Sequence, residues 1–255
     1  MKRLAAVVGL VSMVALAQEA PPPSSSRSRS GSRLGGGEVT SVLSGKSLAG
    51  GTVVHGQVGF PGLSIALLTS VGENLDAGGR ISFLYAYEGI TRLERTPGIK
   101  LQGVFRLQLL DREKFNFGLR FSPGIFFYSF PYPGWTETGL ALPVDLVLGI
   151  ALAPPLMLNV GVDVPMFVAF GPVGGLAVPV LIGAGVEYAL DRQLALTMNL
   201  RVGPSVPVTG HGYLFGYDPF DYWCRDASGW YPCGGGYYRT SMPAAEALIG
   251  ISYKL

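Results

Sequence analysis

Few side chains in this chain are of a type and spacing that could do chemistry. There are two histidines, His55 and His211. His211 heads a polar stretch that also holds Asp218, Asp221, Asp226 and Ser228. Nucleophilic or acid–base catalysis needs a nucleophile beside a base and a third group to orient it. No such spacing is present, so the stretch reads as a surface loop and His55, next to Gly56 and Gln57, as an interior polar group. No metal-ligand spacing and no phosphate-cradling glycine loop occurs. The expectation is a chain that is not an enzyme and carries no cofactor or metal.

The charged residues are more informative, because most fall at alternate positions of apolar segments. Asp76, Arg80, Glu88, Lys100, Arg106, Arg120, Asp145, Asp163, Glu187, Arg201, Glu246 and Lys254 all lie on the face opposite the bulky apolar residues. Bases dominate residues 98–128 and acids 139–190. Two uses are open: a charged constriction that selects ions, or acids and bases that pair because a lone enclosed charge is costly. Glu187 and Arg201 fall on one hairpin. Asp145 and Asp163 fall on another, where Arg120 or Arg106 would be needed between them. The expected lumen network is Arg80, Lys100, Arg106, Arg120, Asp145, Asp163, Glu187 and Arg201.

A third group lies in residues 208–243, where Cys224 and Cys233 stand among clustered aromatics that include Trp223, Trp230 and Tyr231. Those three could form a ligand- or partner-binding surface. The cluster could equally be an interfacial girdle or a lid over a barrel mouth.

The elements that position these residues follow from period-two alternation. In 98–110, Ile99, Leu101, Phe105, Leu107 and Leu109 face one way, and Lys100, Gln102, Val104, Arg106 and Gln108 the other. The pattern recurs in 115–127 and 194–206, as a strand with two unlike faces requires. The segments exceed the length of soluble strands and suit membrane-spanning ones. The charge-free run 164–186 is broken by Gly171, Pro172, Gly174 and Gly175, which rules out a long helix and favours a hairpin. Strands are expected at 52–60, 62–71, 76–88, 98–110, 115–128, 139–152, 156–169, 176–190, 194–207 and 244–255. The fold class is all-β: a transmembrane antiparallel up-and-down β-barrel of about ten strands (roughly 8–12). Short turns on one rim and longer loops on the other place both termini in the periplasm.

Composition agrees. Charged residues make up 14% of the chain and apolar ones 48%, too little charge for an ordinary water-facing surface. A net charge of +2 argues against nucleic acid as a partner. Residues 1–17 read as a signal peptide, with Lys2 and Arg3 before an uncharged run and Ala15-Leu16-Ala17 as the cleavage site. Residues 18–50, rich in Pro, Ser, Arg and Gly at their start, read as a disordered linker. Residues 51–255 form the barrel with its long extracellular loop at 208–243.

On the signal peptide, the strand pattern of 52–255 and the terminal strand Ala247 to Leu255, the chain resembles the small bacterial outer-membrane β-barrel proteins, in the broad sense of the OmpA-like and OmpW-like groups. The final residue is Leu255, where an aromatic is usual in such proteins. The resemblance implies residence among outer-membrane lipids and assembly through the barrel-assembly machinery, which would read the C-terminal strand. Barrels of about eight strands are filled by their own side chains. The expected function is therefore a structural barrel or a narrow, low-flux pore with a largely side-chain-filled lumen. The alternative is a ligand-binding or adhesion module acting through loop 208–243.

An exported chain meets an oxidising compartment, where Cys224 and Cys233 are expected to join. Closing so short a loop is worth about 2–3 kcal/mol in the chain-entropy account. Mass spectrometry of the protein from the outer-membrane fraction should find the disulfide; free thiols at both positions would refute it.

Overall fold

The computed structural model describes residues 42–48, 50–86, 89, 96–130, 134–170, 175–210, 223–226, 229–232 and 242–255. The signal peptide lies outside them, as do most of the linker, Glu88 and most of the long loop. The strands are β1 (Thr52–Phe60), β2 (Gly62–Ser70), β3 (Leu75–Leu84), β4 (Gly98–Asp111), β5 (Phe115–Phe121), β6 (Gly124–Phe130), β7 (Trp135–Ala153), β8 (Leu156–Ala169), β9 (Gly175–Pro179), β10 (Leu181–Ala189), β11 (Leu194–Gly210), β12 (Trp223–Asp226), β13 (Gly229–Pro232) and β14 (Met242–Lys254). Twelve of them form one sheet, and β12 with β13 forms a separate hairpin.

β5 and β6 both pair with β4 and β7, and β9 and β10 both pair with β8 and β11, so each couple is one interrupted strand. Twelve segments less two gives ten strands, all antiparallel to their neighbours. β1 pairs with β14 from Val53↔Lys254 to Phe60↔Ala247, which closes the sheet into a barrel and leaves no open edge. Pro61 alone joins β1 to β2, which pair antiparallel, so the chain turns there.

The interruptions have a chemical cause. The Ser122 N–H donates to the Pro143 carbonyl at 3.0 Å, but Pro143 has no N–H to return. The Gln102 side-chain amide supplies the missing donor to the Ser122 carbonyl at 2.7 Å. At the other break, Val180 donates to the Pro204 carbonyl, and Pro204 likewise cannot reciprocate. The sequence pattern, which ran unbroken through both sites, did not show these gaps.

The barrel is inverted relative to a soluble domain. Asp76, Arg106, Asn116, Asp145, Asn159, Asp163, Glu187, Thr197 and Asn199 are buried, while Ile65, Leu101, Phe127, Ile182, Met198 and Ile249 are exposed. Alternation puts the first set in the lumen and the second on the outer wall, an arrangement suited to a hydrocarbon solvent outside.

Leu101 is outward-facing and 44% exposed. An Arg at a lipid-facing site near the midplane costs about 2–4 kcal/mol. Leu101→Arg should therefore lower the yield of folded, heat-modifiable barrel in vesicles, whereas Leu101→Phe should leave it unchanged. Equal yields would reverse the face assignment.

Candidate functional site

The lumen is crossed by residues 42–48, a strap N-terminal to β1 that enters beside Gly50 and Gly51 at the short-turn rim. Its main chain is held by inward-facing side chains of the wall. The Glu187 carboxylate on β10 accepts the N–H groups of Val42 (2.8 Å) and Leu43 (3.1 Å). Asp76 on β3 accepts the N–H of Leu48 at 3.1 Å, and the Gln108 side-chain oxygen on β4 accepts that of Ser47 at 2.7 Å. Arg120 on β5 donates to the carbonyls of Val42 and Leu43, both at 3.1 Å, and Arg106 on β4 donates to that of Ser44 at 3.4 Å. Residues 42–48 are thus ordered and largely buried, which corrects the expectation of disorder through residue 50.

Two features of the wall make room for the strap. Asn116, Gly149, Asn159, Gly185 and Asn199 pair in register across β5, β7, β8, β10 and β11, forming a belt of alternating amide and bare backbone. A Cβ on Gly149 would crowd Ser44 at 2.9 Å, and one on Gly185 would crowd Leu43 at 3.3 Å. Gly45 lies directly against the backbone of Gly118, and a side chain on either would overlap the other. Nearby, Val42 and Leu48 pack with the inward-facing Val53, Leu68 and Val104 in a small apolar core. An inward Val104 is out of place in a wet lumen; here the strap covers it.

Inward acids and bases from neighbouring strands meet in the lumen. Asp145 and Asp163 pair directly across β7 and β8, a juxtaposition two carboxylates tolerate only with a cation between them. Arg201 on β11 supplies it: its Nη1 hydrogen-bonds the Asp163 carboxylate, lies 3.5 Å from Asp145 and is 4.0 Å from Glu246. Arg120 adds a second contact to Asp145 at 3.7 Å. Arg106 pairs with Asp76 at 2.8 Å, directly opposite it across β3 and β4, and so does not bridge the two acids. Glu187 does not take up Arg201 on its hairpin; besides the strap it accepts the Asn159 amide at 3.3 Å. Arg80 and Lys100 line a cavity of about 90 Å³ on the long-loop side of this cluster, faced by Asp145, Asp163 and Glu246.

His55 is buried in the lumen, its Nε2 3.1 Å from Thr197 Oγ1. Those side chains meet across β14 at Gly250, whose missing Cβ leaves the gap. Toward the long-loop rim the inward positions turn aromatic: Phe126, Tyr128 and Phe167 are buried, with Phe126 and Phe167 edge-on at 6.1 Å. Gly139 faces Phe126 and Gly98 faces Tyr128, each giving its ring room. Glu137, paired with Tyr128, is buried there too, an inward charge missed because β7 starts earlier than the pattern suggested. Among the described residues no three His, Cys, Asp or Glu side chains cluster to hold a metal.

In the long loop, Trp223 pairs with Pro232, Cys224 with Tyr231 and Arg225 with Trp230 across the β12–β13 hairpin. Cys233 lies outside the described residues, and the expected disulfide with it.

No protein-family model matches the chain, and no curated protein matches it. Among solved structures the chain is similar to OmpT (in-vitro folded), an outer membrane protein of Vibrio cholerae. Identity is 12% and the TM-score 0.35; the match covers 80% of this chain and 61% of that one, less than two thirds of its length. A likeness at that level concerns barrel architecture alone. The expectation that the chain is not an enzyme is withdrawn. Of the residues on which it was argued, His211, Asp218, Asp221 and Ser228 lie outside the described residues while His55 and Asp226 lie within them, and the similarity to OmpT gives a non-enzymatic assignment no support.

Removing the cation between Asp145 and Asp163 leaves two facing carboxylates in a confined lumen. Arg201→Met should cost about 3–5 kcal/mol, read as a lower unfolding temperature of the heat-modifiable species. Adding Asp163→Asn to that variant should recover most of the loss. An unchanged unfolding temperature in Arg201→Met would mean that Arg201 is not what neutralises the pair.

Proposed function

We propose that the chain is an integral outer-membrane barrel of the small OmpA-like or OmpW-like kind, exported with its first 17 residues removed and closed to solutes at rest. Its role is structural, or that of a narrow pore whose flux is low because the lumen is filled. The observation that carries this reading is the strap: residues 42–48 cross the lumen and are held by Glu187, Asp76, Gln108, Arg120 and Arg106. Beyond the strap, Arg201 ties together acids from three strands, and aromatic rings fill the inward positions toward the other rim.

Surrounding lipid is the partner the outer wall fits, since an unbroken apolar band has no favourable contact with water. β14 forms the closing seam with β1, and it is the strand through which the barrel-assembly machinery would act.

The purified full chain in a planar bilayer should show no steady current at moderate voltage, while its gel migration shifts on boiling. Large, steady, ion-selective currents from the unmodified protein would overturn the closed-lumen reading and favour an open porin.

A further inference from the structure

The strap is held chiefly by its backbone. Seven of its main-chain groups meet five side chains: the N–H groups of Val42, Leu43, Ser47 and Leu48, and the carbonyls of Val42, Leu43 and Ser44. Side chains of the strap are read as well: Ser47 Oγ donates to the Glu73 carbonyl at 3.0 Å and Lys46 lies 3.9 Å from Asp111 near the rim. Gly45 must be bare to lie on Gly118, and Val42 and Leu48 must be apolar to cover Val53, Leu68 and Val104. A site that satisfies a peptide main chain with acids on one side and guanidinium groups on the other is a peptide-binding site, whatever the origin of the peptide.

The connection to the barrel also allows the strap to be treated as a ligand. It joins β1 through Gly50 and Gly51, both at positive φ (+106° and +85°), with open space around Gly50. Such a pair is a turn that glycine adopts without steric cost; the Gly51 carbonyl is fixed to β2 by the Ser70 N–H at 3.1 Å, so the hinge is at Gly50, and residues 42–48 lie outside the strand ladder.

We propose that the lumen is a backbone-reading peptide site, that residues 42–48 are its built-in occupant, and that a separate peptide with the same pattern binds there once the strap is unseated. The pattern is apolar residues at the first and seventh positions with glycine at the fourth. This rests on the closed-lumen reading and goes beyond it, because a permanent plug would have no site to offer in trans. The tether presents the strap at an effective concentration on the order of millimolar, so an added peptide cannot compete with it in the unmodified protein.

The test uses the full chain carrying Gly45→Leu, whose side chain cannot seat against Gly118, in parallel with Leu43→Asp, which sets a second carboxylate beside Glu187. Both changes lie in the strap and leave every wall residue in place, and folding is confirmed by heat-modifiable migration. The probe is a fluorescent peptide of residues 40–50, TSVLSGKSLAG, followed by anisotropy with detergent-solubilised barrel and by block of current in a planar bilayer. The expected result is no binding to the unmodified protein and saturable binding to whichever variant folds. The variant should also conduct more than the unmodified protein, and the added peptide should reverse that rise. A peptide carrying Gly45→Leu should bind at least about tenfold more weakly. A folded variant that conducts but binds neither peptide would overturn the proposal while leaving the closed-lumen reading intact. So would one that stays closed and binds neither, or one that binds both peptides equally. Steady current through the unmodified protein would instead refute the closed-lumen reading itself.

Discussion

A carboxylate enclosed in a narrow barrel must be given donors or be neutralised, and at Glu187 the donors include, beside the Asn159 amide, the N–H groups of two consecutive residues outside the barrel's own strands. That interaction brings Val42 and Leu43 across the lumen from the rim at which they enter. The rest of the strap's path follows from it. With the N–H groups turned to Glu187, the carbonyls of the same residues turn to Arg120, and the chain runs back past Ser44 to Asp76. At the bare positions Gly118, Gly149 and Gly185 a side chain would run into the strap.

The same demand organises the lumen beyond the strap. Register places Asp145 opposite Asp163, and Arg201 reaches both from β11. A long guanidinium can span this distance and present several donors in a fixed plane, which a lysine could not. Even the main chain follows the rule that enclosed polar groups need partners. The carbonyl left without a donor by Pro143 is taken up by the Gln102 side chain, so a proline that would weaken a solvated strand is accommodated within the wall. Gln102 and Arg201 are therefore as much part of the framework as the ladder bonds.

On the outer wall the constraint reverses. Exposed Leu101, Ile182 and Met198 have no polar groups to satisfy, and their value lies in having none. One alternating pattern thus serves two solvents: hydrocarbon outside and a crowded, self-paired set of charges inside.

The alternating pattern by itself determined most of the architecture. Because strand side chains alternate strictly, a run such as Ile99 to Leu109 announces both its element and its faces, and the inward position of Arg106, Asp145, Asp163 and Arg201 was legible from local order alone. What pairs with what was not legible, because partners lie on different strands and depend on register and reach. Arg106 takes Asp76 opposite it, Arg201 reaches past its own hairpin, and Glu187 turns to the strap. The strap was the least visible part. Val42, Leu43 and Leu48 mark a change from the Ser-, Arg- and Pro-rich residues before them, and Val104 is an apolar residue on a polar face. These were its only traces, and they acquire meaning only when both are in the same lumen. A segment without periodicity takes its structure from the surface that satisfies its backbone, and that surface does not exist until the barrel has closed.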